Sequence, residues 1–115
     1  MGYIQTMQTV AETTLFQKRA QALLSPEEHE EVILFLANNP EAGDPITGTG
    51  GVRKVRFAAK GKGKSGGVRV IYYFYSDAMP LYALLIYGKG EKDNLSADDK
   101  KAVSRLAAAF KKAAR

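Results

Sequence analysis

A chain of 115 residues with 45% hydrophobic and 25% charged residues has ordinary globular usage and is long enough for one domain around a single core. Its formal net charge of +5 and pI of about 9.5 favour acidic partners and say nothing of fold. The absence of cysteine excludes a disulfide scaffold and a thiolate metal site, and the longest apolar run, Ala83 to Tyr87, is far too short to span a bilayer. The N-terminus shows no charged-then-apolar signal pattern. These features read as one cytoplasmic domain over residues 1–115 with no membrane partner. Met7 is an alternative start that would make residues 1–7 a flexible extension.

Thr9 to Ala11 is a weak strand signal. Phe16, Ala20, Leu23 and Leu24 then recur at helical spacing, with Lys18, Arg19 and Gln21 on the outward side. Ser25-Pro26-Glu27-Glu28 is a helix start: Ser25 caps, Pro26 fits the first turn and Glu28 closes a capping box. Val32, Phe35 and Leu36 form the buried stripe of this second helix, and Asn39-Pro40 ends it. Pro45 to Gly51 reads as a loop with three glycines. Beyond it the period changes to two. Arg53, Val55 and Phe57 alternate with Lys54, Arg56 and Ala58, which predicts a strand. Lys60 to Gly67 is a Gly/Lys loop, Val68 to Tyr75 a second strand and Leu81 to Tyr87 a third, joined by a turn at Ser76 to Pro80. Short connections predict antiparallel pairing. Ser96 with Asp99 caps a last helix whose core stripe is Val103, Leu106, Ala107 and Phe110; Lys111, Lys112 and Arg115 suit its negative end. The order predicts an α+β fold, a small, mostly antiparallel sheet with helices packed on it.

Arg53 to Arg69 carries seven of the seventeen Lys and Arg residues, inside an acid-free run from Pro45 to Ser76. Like charges this dense repel, so they point to a polyanion partner, with nucleic-acid phosphate the first choice. Lys54 and Arg56 are two apart on one strand face, and hairpin pairing brings Arg69 beside them. Tyr87 and Lys89 are two apart at the exit of the third strand. A face carrying Lys54, Arg56, Arg69, Tyr87 and Lys89 would be a phosphate site with groups able to transfer protons. The alternative is unrelated surface cations lying on apolar neighbours. Tyr73 shares the Arg69 face and is the aromatic candidate for RNA contact, whereas Tyr72 and Phe74 read as packing.

Two motifs lead elsewhere. Ala58 to Ser65 satisfies a relaxed P-loop pattern, but a strand follows it where a P-loop requires a helix, so nucleotide hydrolysis is not expected. The lone His29 sits in the acidic first turns of the second helix and reads as a surface residue. No His/Asp/Glu cluster has metal-ligand spacing, and no cofactor is expected.

With these elements placed, the sequence resembles the toxins of the RelE/ParE superfamily, closest to the HigB-like branch, which belong to bacterial type II toxin–antitoxin systems. The matching residues are GDPITGTGGVRKVRFAAKGKGKSGGVRVIYYFY, then ALLIYGKGEKDNLS, then a basic C-terminal helix. The resemblance covers roughly residues 15–110. It implies a ribosome-dependent, metal-independent endoribonuclease that cuts mRNA and stops translation. It also implies a cognate antitoxin of helix-turn-helix type, through which alone operator DNA would be bound. In the family pattern, Lys54 and Arg56 correspond to the basic residues before the hairpin and Arg69 to the arginine early in the next strand. An arginine expected just after the Gly-Lys falls on Gly90, and a later tyrosine falls near Ser96; Lys89, Lys92 or Tyr87 would have to substitute. The implied reaction is attack of a ribose 2′-OH on the adjacent phosphate, with Lys54 as base, Arg56 and Arg69 as clamps, and Tyr87 or Lys89 as acid or support. Arg53, Lys60, Lys62, Lys64, Tyr73 and Lys92 are the expected RNA- or ribosome-binding set. A gyrase-binding fold-mate of the ParE kind and a non-catalytic RNA- or ribosome-binding module remain open.

Overall fold

The computed structural model describes residues 7–59, 67–88, 90–91 and 94–114. Its elements run β1 (Val10–Glu12), α1 (Thr14–Leu23), α2 (Pro26–Asn38), β2 (Asp44–Pro45), β3 (Val52–Phe57), β4 (Val68–Tyr73), β5 (Leu81–Gly88) and α3 (Ala97–Ala113). The strands form one sheet in the order β1-β5-β4-β3-β2. β1 lies parallel to β5 and every other pairing is antiparallel. The architecture is α+β, as predicted.

The helix starts follow the capping chemistry. Thr13 accepts from the Phe16 amide at 3.0 Å. Ser25 accepts from the Glu28 amide at 3.2 Å while Glu28 accepts from the Ser25 amide at 2.9 Å, closing the capping box. Ser96 accepts from the Asp99 amide at 3.1 Å. Such caps are worth about 0.5–2 kcal/mol each.

Alternation along the central strands builds two cores. On one face Val68, Val70, Tyr72, Leu81, Ala83 and Ile86 are buried against Phe16, Ala20, Leu23 and Leu24 of the α1 region and Val32 and Leu36 of α2. On the other, Val52, Ile71, Tyr73, Leu84 and Tyr87 pack with Val103 and Ala107 of α3. Phe110 adds a ring stacked on Tyr82, with centroids 3.8 Å apart. Each large apolar side chain fully buried contributes roughly 1.5–3 kcal/mol. A register shift between Ile71 and Tyr72 lets Leu84 join the α3 side while Ala83 faces α1.

Four expectations change. Pro45, read as the start of a loop, lies with Asp44 in the edge strand β2 on β3, where a proline's missing N–H is harmless. Phe35 is 39% exposed and meets Phe57 edge-on at 5.3 Å, because α2 reaches the β3 side of the sheet only at its rim. Leu106 is also 39% exposed, since α3 turns only a narrow stripe, Val103 and Ala107, fully into the core. Arg19, expected outward, reaches back to donate from Nε to the Ile86 carbonyl at 2.7 Å.

Candidate active site

The basic strand places its side chains by parity. In the β3–β4 ladder Arg56 stands directly opposite Arg69, and in the β4–β5 ladder Arg69 stands directly opposite Tyr87. The three therefore form one row across the sheet, with neighbouring Cβ atoms roughly 5 Å apart. Lys54 lies on the same face, one diagonal step away, opposite Ile71. The sequence expectation that these four residues share a face agrees with the register.

Their environments differ. Arg56 is exposed and Lys54 half-buried, whereas Tyr87 is fully buried and Arg69 only 3% exposed. Arg69 Nε and Nη1 are shut off from solvent and have no hydrogen-bond partner among the described residues. A buried guanidinium with unsatisfied donors is costly, of order several kcal/mol for the ion, unless an anion meets it. Beside the row, Lys54 Nζ reaches Asn94 Oδ1 at 3.5 Å, and a cavity of about 120 Å³ is lined by Ile46, Lys54, Asn94, Leu95 and Lys100.

The strand carrying Lys54 and Arg56 is fixed at its start. Thr49, 2% exposed, donates from Oγ1 to the Ile46 carbonyl at 2.6 Å and accepts from the Val52 amide at 3.1 Å. Behind the site, the Tyr72 hydroxyl accepts from the Gly43 amide at 2.8 Å. Gly43 has no room for a side chain, since a Cβ would lie 2.8 Å from the Tyr72 ring. Burial pushes the Tyr72 phenol above its ordinary value of 10.0, the Gly43 hydrogen bond and Arg53 partly opposing. Burial also raises Tyr73, with Tyr75 adding to it. Both phenols therefore stay protonated at neutral pH.

The far end of β5 is fastened to α1. Arg19 Nη2 pairs with Glu91 Oε1, and Glu91 Oε2 accepts from the Gly88 amide at 2.8 Å. This holds the turn that begins at Gly88, immediately after Tyr87.

Two expected RNA contacts are placed elsewhere. Arg53 lies on the opposite face, where Nη1 donates to the carbonyls of Glu41 at 3.1 Å and Gly43 at 2.7 Å; strand parity separates it from Lys54 and Arg56. Tyr73 is on the predicted face but 2% exposed, packed with Val52 and Met79 under α3, so its ring is not presented for stacking. Lys60, Lys62, Lys64, Lys89 and Lys92 lie outside the described residues. His29, read as a surface residue, is half-buried and bonded through Nε2 to Glu12 Oε1 at 2.6 Å, distant in sequence and sheet position from the row. Asn94, Lys100, Arg19 and Glu91 were not singled out from the sequence. Lys100 alone had a readable signal, a cation one turn into a helix that follows the third strand.

Among the described residues no group of His, Cys, Asp or Glu is placed to hold a metal ion, and no helix is long and apolar enough to cross a membrane.

The α+β fold has counterparts among solved structures. A solved E. coli toxin RelE, a mutant carrying two arginine-to-alanine changes in the free state, superimposes with a TM-score of 0.57 and 16% identity over 87% of this chain and 96% of that one. The model of the RelE toxin of the RelE/RelB toxin–antitoxin system matches residues 41–115, a stretch that holds the entire Lys54–Arg56–Arg69–Tyr87 constellation. The chain belongs to that toxin family, within the RelE/ParE superfamily, and membership implies an antitoxin partner.

Proposed function

We propose that this toxin is an endoribonuclease that cuts translated mRNA on the ribosome and that it belongs to the HigB-like branch of its family. The observation that carries the proposal is Arg69: a buried guanidinium with two unsatisfied donors, flanked in register by Arg56 and Tyr87. An RNA phosphate supplies the missing acceptors. Because Arg69 is covered, the phosphate displaces neighbouring side chains as it enters, so binding and closure of the site are coupled. Exclusion of water then strengthens the cation–phosphate attraction.

The reaction draws its groups from side chains. The 2′-OH of one ribose attacks the adjacent phosphorus, its proton passing to Lys54. The P–O5′ bond breaks, leaving a cyclic phosphate and a 5′-hydroxyl that receives its proton from Tyr87 or Lys89. Arg56 and Arg69 hold the non-bridging oxygens as charge builds on them. No metal is required by this scheme. Lys60, Lys62, Lys64 and Lys92 serve docking to RNA or ribosome, where long-range attraction between cations and phosphates suffices. The antitoxin, of helix-turn-helix type, silences the toxin and alone carries it to operator DNA; the toxin acts in the cytoplasm.

A second reading, RNA binding without cleavage, is favoured by Gly90, which leaves a cation of the family pattern unfilled. Inducible expression in bacteria with mapping of mRNA 5′ ends separates the readings. In-frame cuts that vanish in a folded Arg69→Ala protein support the nuclease. Translation arrest with intact mRNA supports binding alone, and DNA damage without cuts supports a gyrase poison. Full toxicity from folded Arg69→Ala removes Arg69 from the site.

A further inference from the structure

A second groove lies next to the Lys54 cavity and shares Lys100 with it. It has a volume of about 430 Å³ and is lined by Gly48, Ala97, Lys100, Lys101, Ser104 and Arg105. Lys100 lines both this groove and the cavity of Lys54. The two adjoin at Lys100, one beside Lys54 and the other along α3. No acid lines either one, although Asp98 and Asp99 occupy the first turn of the same helix. Neither the Arg19–Glu91 nor the His29–Glu12 ion pair involves Lys100, Lys101 or Arg105. The opposite wall is bare backbone at Gly48, whose φ of +82° needs a glycine and whose Cβ position has nothing within 4 Å. Ser104 Oγ donates to the Gly48 carbonyl at 3.3 Å and holds that wall against the helix.

We infer that this groove is a track for the single-stranded RNA flanking the cut. The inference rests on the nuclease reading and deepens it: the row around Arg69 grips the scissile phosphate, and Lys100, Lys101 and Arg105 take the next phosphates of the same strand. Lys101 and Arg105 are one helical turn apart, about 6 Å along the axis, which is the order of the phosphate spacing in an extended strand. The neutral lining between the cations, Ala97, Ser104 and Gly48, offers no base-reading pattern, so the track adds affinity without sequence choice.

The test is the double variant Lys101→Ala/Arg105→Ala, on exposed positions where alanine suits a helix. Binding of fully 2′-O-methylated, uncleavable oligoribonucleotides of three and nine nucleotides is followed by fluorescence anisotropy against salt. The intact toxin is expected to favour the longer strand. The double variant should lose that preference, with the slope of log affinity against log salt for the nine-nucleotide strand falling by about 1.4, at about 0.7 per phosphate contact. Binding of the three-nucleotide strand should stay unchanged. An unaltered length preference in the folded double variant overturns the track, as does an intact toxin with no length preference. Equal losses for both lengths would mean that the two cations act in the Lys54 cavity itself, and also overturn it. The nuclease reading fails separately, when Arg69→Ala leaves cleavage intact, and that result does not touch the length preference.

Discussion

Arg56 and Arg69 face each other across the β3–β4 ladder, two like charges at directly opposed positions. Directly opposed like charges destabilise a sheet, and among the described residues no carboxylate pairs with either. The arrangement costs stability that only a bound anion returns. Arg56→Thr should therefore raise stability while lowering activity. Since Arg56 is exposed and water screens it, the gain should be small, about 0.2–0.5 kcal/mol, seen as a higher urea midpoint at low salt and vanishing at high salt. Cleavage should drop by roughly 10²-fold. A lower midpoint with unchanged cleavage would mean that the pair serves the fold.

The period-two pattern from Val52 onward was enough to place Lys54 and Arg56 on one face, because strand parity is a local property, while Arg69 joined them through the expected hairpin pairing. The Ser25–Glu28 capping box and the Ser96 cap were equally readable, since the cap and its partner lie three residues apart. The tethers were not. Arg19 to Ile86 and Glu91, Tyr72 to Gly43, and Arg53 to Glu41 and Gly43 join residues distant in sequence, and a charged side chain that bonds a backbone carbonyl leaves no periodic trace. The burial of Tyr73 was hidden for a related reason. Alternation assigned its face, but which helix covers that face depends on where α3 returns to the sheet.

By the resemblance alone, Gly90 falls where an arginine is expected. A side chain there meets nothing within 4 Å, so the position accepts substitution. Gly90→Arg should raise the rate of cleavage at saturating ribosome by about 10²-fold, the low end of the ~10²–10⁴ that a positioned acid or base supplies. The expected gain is in the single-turnover rate, with stability unchanged. No gain would mean that the cation of this position is already replaced by another group.

Tyr72 ties the loop before β2 to the middle of the sheet through the Gly43 amide. Tyr72→Phe leaves that amide buried without its acceptor and should cost about 1–3 kcal/mol at pH 8. The folded-state pKa of Tyr72 is raised above the ordinary 10.0. Its contribution is therefore fully present below about pH 10 and is lost as pH rises through the folded value. The gap between wild type and Tyr72→Phe should be constant from pH 7 to 9 and narrow above pH 10, because the unfolded wild-type chain then gains by releasing the proton. Comparing urea midpoints of the two proteins at each pH cancels the lysines they share. A gap that widens in alkali contradicts the assigned direction.

Gly67 sets the alignment on which the Arg56–Arg69 opposition depends. It precedes Val68, whose partner in the ladder is Phe57, and it has a φ of +77°. Two separate demands meet there. The positive φ disfavours any residue with a Cβ, an effect that asparagine largely escapes. The second demand is space: a Cβ would lie 2.2 Å from the Phe57 carbonyl oxygen, which is backbone and cannot swing aside. If the dihedral angle alone mattered, Gly67→Asn would be mild and Gly67→Ala worse by roughly 1–2 kcal/mol. Because the contact dominates, both should be destabilised alike, by roughly 3 kcal/mol or more, above the ~1–3 kcal/mol of a strained dihedral by itself. Relief of the clash pushes β3 and β4 apart beside Arg56 and Arg69, so both variants should lose cleavage even in conditions where they remain folded. Urea denaturation of the pair, with cleavage measured at low temperature, separates the two causes. A well-tolerated Gly67→Asn would leave the dihedral angle as the whole reason for glycine at this position.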